Sequence, residues 1–106
     1  GGWNDGTSGA FPDTLTATWN QPENVARAVV YTLDSQKYPA SRYGIRDGEI
    51  QAYLDGEWHT LAQFSGNTDG VITRSFPPIE TKALRLVVRA SNNADYSRVV
   101  ELEAYS

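Results

Sequence analysis

The sequence contains no cysteine. That removes a disulfide framework and any zinc site built on thiolates. Lack of cysteine fits the cytosol and many secreted bacterial proteins alike, so by itself it leaves the compartment open. Basic charge is also scarce. Nine Lys and Arg stand against thirteen Asp and Glu, for a net charge of −4, and no two basic residues are adjacent. A nucleic-acid binder normally presents a basic face, so nucleic acid is discounted as a partner. No apolar stretch approaches the roughly 20 residues a membrane-spanning helix needs, and no membrane span is expected. Nothing resembles a signal peptide and the first residue is Gly1 rather than Met, which reads as a mature or excised piece of chain. His59 is the single histidine, and no Ser or Cys stands in an elbow-like setting. A nucleophile–base pair therefore has no local support. Thirteen carboxylates make some close pair inevitable, but no feature marks one as a glycosidase pair.

What is present is one domain's worth of chain, 106 residues, with room for one core. It is organised around the stretch Glu49 to Phe64. Ile50, Ala52 and Leu54 alternate with Glu49, Gln51 and Tyr53, the period that puts one set on a core and the other toward solvent. Asp55-Gly56 interrupts the run. That dipeptide between alternating segments is a strong signal for a two-residue hairpin, because a type I′ turn needs positive φ at both positions. Trp58, Leu61 and Phe64 follow as apolar anchors of the return strand.

Other strand-like runs flank this hairpin. Thr14 to Trp19 alternates, Asn20 to Asn24 reads as a turn, and Val25 to Leu33 is rich in strand formers. Asp34 to Gly48 is the longest irregular segment, of the kind that is functional or mobile in a small domain. Ser65 to Gly70 is a polar turn, Val71 to Phe76 a strand stopped by Pro77-Pro78, and Glu80 to Ala90 another alternating strand. Ser91 to Asp95 is a turn and Tyr96 to Tyr105 closes the chain, with Val100, Leu102 and Ala104 on one face. About seven short strands separated by turn clusters predict an antiparallel β-sandwich with no convincing helix.

The succession Tyr43 to Ile50, Asp55 to Trp58, Phe76-Pro77-Pro78, Leu84-Arg85-Leu86 and Ser97 to Tyr105 resembles the discoidin, or coagulation factor 5/8 type C, family. That family shares a galactose-binding-like jelly roll with carbohydrate-binding module family 32. The opening Gly2 to Thr7 and Phe11-Pro12-Asp13 looks like the variant appended to bacterial polysaccharide-degrading enzymes. The resemblance covers nearly the whole chain and implies a single domain over residues 1–106. It differs in lacking the extra N-terminal strand and Asp-Gly loop that members carry before the position of Trp3. It also lacks the end-to-end disulfide of vertebrate members, which favours the bacterial branch.

Candidate residues follow from both readings. Trp58, Trp19 and Phe76 are expected in the core. Trp3 sits in a Gly/Asn/Asp loop with Asn4 and Asp5, as either a platform for a sugar face or a lid on the core. Tyr38, Arg42 and Tyr43 share the long loop and combine stacking faces with a planar fork of donors. Asn93 and Tyr96 lie in a further turn. The resemblance places ligand recognition on loops at one end of the sandwich, so these eight are the expected ligand-binding residues. It also implies one structural calcium with Glu101 as a ligand. Asp5 and Thr7 are hard oxygen donors that suit such an ion. Arg85 and Arg98, beside acidic strand neighbours, are expected in ion pairs flanking the core.

The function these features imply is a monomeric, non-catalytic module that binds polysaccharide or oligosaccharide. It would be attached to a larger catalytic or surface protein, secreted or at the cell surface of a bacterium. Two alternatives stay open: a small glycoside-active enzyme using paired carboxylates, and a discoidin-type adhesion domain for protein or lipid.

Overall fold

In a computed structural model, residues 2–3, 13–32, 40–92 and 99–106 are described. They form strands β1 (Gly2–Trp3), β2 (Asp13–Thr32), β3 (Ile45–Leu54), β4 (Glu57–Phe64), β5 (Val71–Ser91) and β6 (Val99–Tyr105), with one helical turn, α1 (Ala40–Tyr43). The strands are ordered β1-β6-β2-β5-β3-β4, and every pairing is antiparallel.

Two layers arise from this one ladder because β2 and β5 each contribute to both. Residues 13–18 of β2 pair with 83–88 of β5, and β3 and β4 extend that side. Residues 27–31 of β2 pair with 71–75 of β5, and β6 and β1 extend the other. Between the two segments the register slips. Residues 19–22 stand against Lys82 alone, and residues 76–78 against Ala26 alone. Extra residues on one strand bend it and add twist, which lets a long strand turn from one layer into the other. The result is an antiparallel β-sandwich of jelly-roll type.

These slips account for the main departures from expectation. Asn20 to Asn24 does not end a strand, and Pro77-Pro78 does not stop one. A bulge is a place where proline is tolerated, since the ladder there does not require its missing N–H. Two expected pairs of strands thus merge into β2 and β5. The segment expected to be irregular through Gly48 is shorter, because β3 already starts at Ile45 after the helical turn. That turn also corrects the expectation of no helix. In the last strand, the described part starts at Val99.

The core draws on both layers. Leu15, Ile45, Ile50, Leu84, Leu86 and Val88 come from one, and Ala28, Val30, Ile72 and Leu102 from the other. Each fully buried Leu or Ile contributes roughly 1.5–3 kcal/mol. Phe76 and Phe64 join the core, and Trp19 and Leu61 pack partly buried against it.

The hairpin forms as its sequence indicates, with Asp55 at φ 53° and Gly56 at φ 84°. Its two-residue turn pairs Leu54 with Glu57 and Tyr53 with Trp58. Directly opposed residues share a face, so Trp58 lies outward with Tyr53 rather than in the core. A bulge at Leu61, between the pairs Gln51–Thr60 and Ile50–Ala62, then restores Phe64 to the core side.

Candidate functional site

The ends of several chain segments meet at one end of the sandwich. Thr32, the last residue of β2, pairs with Val99 at the start of β6. Its N–H donates to Gly70 O at 2.9 Å, and its hydroxyl accepts from Ile45 N at 3.1 Å. Asp13, at the start of β2, pairs with Val88 near the end of β5. Trp3 pairs with Leu102 on β6, a residue that itself pairs with Val30 near the end of β2.

Two asparagines tie this end together. The Asn92 side chain donates to Ala40 O and Asn67 O, both at 2.9 Å, and its backbone N–H donates to Gly44 O at 2.8 Å. The Asn67 side chain donates to Ile45 O and Asp69 O, and its N–H to Arg46 O. Asp47 accepts from Gly66 N through Oδ1 at 2.9 Å and from Arg46 Nε through Oδ2 at 3.2 Å. The sequence marks Asn92 as a turn residue beside Asn93 and Tyr96, and Asn67 as part of the Ser65 to Gly70 turn, without showing that they join these segments. The available signal is the type itself, since a short amide side chain both donates and accepts next to a turn.

The outer face of the β4-β3-β5 layer carries a second polar arrangement. Glu49 and Gln51 are only 7% and 8% exposed although they face away from the core. Arg89 donates to Glu49 Oε1, and the Thr60 hydroxyl donates to Glu49 Oε2 at 2.9 Å. Gln51 donates weakly to the same hydroxyl at 3.4 Å and accepts from Arg85 Nε at 2.6 Å. The Arg85 guanidinium lies 4.2 Å from the Trp58 ring centroid, and Trp58 meets Tyr53 edge-on at 5.2 Å. Arg85 therefore forms a cation–π and amide contact instead of the expected ion pair; Arg98 lies outside the described residues. The Arg89 guanidinium, foremost, holds the Glu49 carboxyl below its ordinary range. Thr60 and Gln51 add to this, and burial opposes it.

On the opposite layer, Glu101 is the register partner of Tyr31 and Glu103 that of Val29. Tyr105 donates to Glu103 at 2.7 Å under Arg27, whose guanidinium is 4.5 Å from the ring. Hydrogen bonds to Glu103 raise the pKa of both Tyr31 and Tyr105. Of the expected calcium ligands only Glu101 is described. No group of three or more His, Cys, Asp or Glu suited to a metal occurs among the described residues. Asp5 and Thr7 lie outside them, as do Asn4, Tyr38, Asn93 and Tyr96. Trp3 is described in β1, and Arg42 and Tyr43 in α1, as backbone only. His59 is exposed on β4, in register with Ala52.

A model of the F5/8 type C domain family matches residues 1–102. The chain belongs to that family. Solved structures agree with the F5/8 type C fold. The family 32 CBM of C. perfringens NanJ, in complex with galactose, gives a TM-score of 0.76 at 19% identity, over 92% of this domain and 69% of that chain. Chitosan-binding module 1 from the chitosanase/glucanase of Paenibacillus sp. IK-5 gives 0.79 at 16% identity, over 99% of this domain and 76% of that chain. A Bacteroides thetaiotaomicron chain assigned to the alpha-L-fucosidases gives 0.72 at 24% identity, over 94% of this domain. The F5/8 type C domain spans only 21% of that chain. No curated protein matches the sequence. At these identities the likenesses establish the galactose-binding-like fold. No helix of the described residues is long and apolar enough to cross a membrane.

Proposed function

We propose that this F5/8 type C domain is a non-catalytic, monomeric sugar-binding module of a larger bacterial protein that is secreted or held at the cell surface. Glycan would be held by Trp3, Asn4, Asp5, Tyr38, Arg42, Tyr43, Asn93 and Tyr96. The observation that carries this reading is the bracket at one end of the sandwich. Asn92 bonds Ala40, Gly44 and Asn67, while Thr32 bonds Gly70 and Ile45. The described residues that border segments 33–39 and 93–98 are thereby tied to one another. The solved relatives bound to galactose or named for chitosan support the ligand class, and the fucosidase-like chain supports attachment to an enzyme.

Glu49 does not suit the acid role in the catalytic alternative. A glycosidase acid needs a raised carboxyl pKa, and Arg89 lowers that of Glu49. The adhesion alternative calls for apolar spikes on loops. Trp3, Phe11 and Tyr38 are the candidates for these, and their side chains lie outside the described residues. The net charge of −4 argues against anionic lipid.

Shallow sugar sites bind in the range of roughly micromolar to millimolar. On a glycan array, Trp3→Ala, Arg42→Ala and Tyr96→Ala should each weaken binding by about tenfold, the equivalent of about 1.4 kcal/mol. Thr73→Ala, on an exposed strand position of β5, should not. Equal binding by all four folded variants would place the glycan elsewhere, and release of reducing ends would make the protein an enzyme.

The calcium proposal is a single structural ion held by Asp5, Thr7 and Glu101, a set of hard oxygen donors. A ligand that binds only the folded state raises Tm by mass action. Millimolar calcium should therefore raise Tm, and either a chelator or Glu101→Gln should cancel the rise. An identical Tm with calcium and with chelator removes the site.

A further inference from the structure

A cleft of about 600 Å³ opens where β4 ends. Asp47 and Glu49 of β3, Gln63 and Ser65 at the end of β4, and Arg74 and Arg89 of β5 form its walls, with Phe64 beneath. Two carboxylates face two guanidiniums, but their hydrogen bonding is unequal. Both oxygens of Asp47 are engaged, by Gly66 N and by Arg46 Nε. Both oxygens of Glu49 are engaged, by Arg89 and by Thr60. Arg46, which neutralises Asp47, is a third guanidinium from outside the walls.

Arg74 is the cation left over. It donates to two carbonyls, Gln63 O at 3.4 Å and Thr73 O at 2.9 Å, and lies 5.9 Å from the Phe64 ring centroid. Its register partner is the fully buried Ala28, so it rises from the core-facing side of the 71–75 segment of β5, which pairs with β2 and has no β3 partner. Among the described residues no carboxylate meets it. Most of the five N–H donors of a guanidinium remain on both Arg74 and Arg89. The charges of the lining balance, two against two, but with Asp47 paired to Arg46 and Glu49 to Arg89 one guanidinium, Arg74, is left without a carboxylate among the described residues.

We propose that this cleft is a second binding site, for a sugar unit that carries an oxyanion, either a uronic acid or a sugar sulfate. A planar fork of N–H donors matches an oxyanion in bidentate geometry, whereas a neutral hexose leaves the charge unmet. The cleft is much larger than a carboxylate. Gln63 and Ser65, both exposed, supply an amide and a hydroxyl for ring hydroxyls. The sugar part rests on the function proposed above; the anion part rests on Arg74 alone.

The test follows backbone amide and Arg Nε resonances of the labelled chain during titration with glucuronate, glucose 6-sulfate, glucose and acetate. One anionic sugar should shift Gly48, Gln63, Ser65 and Arg74, with affinity about tenfold or more above glucose. Whichever anion does so identifies the source. Arg74→Met, whose chain still covers Phe64, should lose the difference. Should that variant unfold, high salt applied to the unaltered protein decides, since screening weakens the anionic ligand and spares glucose. Cleft shifts equal for glucose or for acetate overturn the proposal, as does a cleft that no anionic sugar moves. A neutral sugar that shifts resonances near Asn67 and Asn92 over a silent cleft sinks this site and leaves the module reading standing.

Discussion

Gly48→Ala should lower the stability of the domain by about 2–3 kcal/mol, the upper part of the range for forcing an extra methyl into a packed site. A Cβ at Gly48 would stand 2.7 Å from Val87 O and 2.8 Å from Phe64 Cζ. Neither neighbour yields easily. Val87 O belongs to the ladder of a central strand pair, and Phe64 is 6% exposed in the core. The φ of Gly48 is outside the left-handed region, so the cost is one of space. In the structure the Phe64 ring occupies the room a side chain would need. Urea unfolding of Gly48→Ala, Phe64→Leu and the double variant checks this. The double variant should be clearly better than additive, because the smaller side chain relieves one of the two contacts. An unchanged midpoint for Gly48→Ala would show that β3 moves freely relative to β4 and β5.

Arg89→Met should cost about 2–3 kcal/mol at about pH 7, and Glu49→Gln about 1 kcal/mol. The asymmetry comes from exposure. The Arg89 side chain is 56% exposed and the Glu49 side chain 10%. Removing the carboxylate charge returns a half-solvated guanidinium to water. Removing the guanidinium leaves a buried carboxylate with the Thr60 hydroxyl still donating to it and Gln51 behind that hydroxyl. Breaking a buried pair costs about 3–5 kcal/mol, and the exposure of Arg89 reduces that.

The pH dependence has a definite sign. The Glu49 carboxyl lies below its ordinary value of 4.5 in the folded chain. Its contribution is therefore present above that value and is lost as pH falls through the lower folded pKa. In Arg89→Met, burial no longer meets a compensating cation and pushes the carboxyl upward. The deficit of that variant should be largest near neutrality and shrink in acid as Glu49 takes up a proton. Thermal unfolding of both proteins across this range reads it directly. A deficit that grows in acid would mean that Glu49 is not the group responsible.

Much of the fold could be read from the period of two and the turn residues. Ile50, Ala52, Leu84 and Leu86 are buried as their alternation indicates, and Asp55-Gly56 makes the tight turn its φ demands. The outward place of Trp58 was also legible, because a two-residue turn sets it opposite Tyr53; its size argued for the core and misled. Pro22, Pro77 and Pro78 looked like breaks because local punctuation does not distinguish a turn from a bulge within a bent strand. The burial of Glu49 and Gln51 was hidden for another reason. Alternation assigns a face, but whether that face is wet depends on long side chains from strands distant in sequence, such as Arg85 and Arg89. At the candidate site the residue types pointed to loops. Their mutual placement rests on pairings such as Thr32 with Val99 and Asp13 with Val88, which no local pattern encodes.

The sharing of β2 and β5 between the two layers has a consequence for how the domain comes apart. One layer cannot peel away intact, because the same two strands are the middle of the other. Loss of the pairing of Leu15 with Leu86 frees the chain that holds Val30 against Ile72. The sandwich should then unfold as one cooperative unit, with the core amide protons of both layers exchanging with solvent through the same global opening.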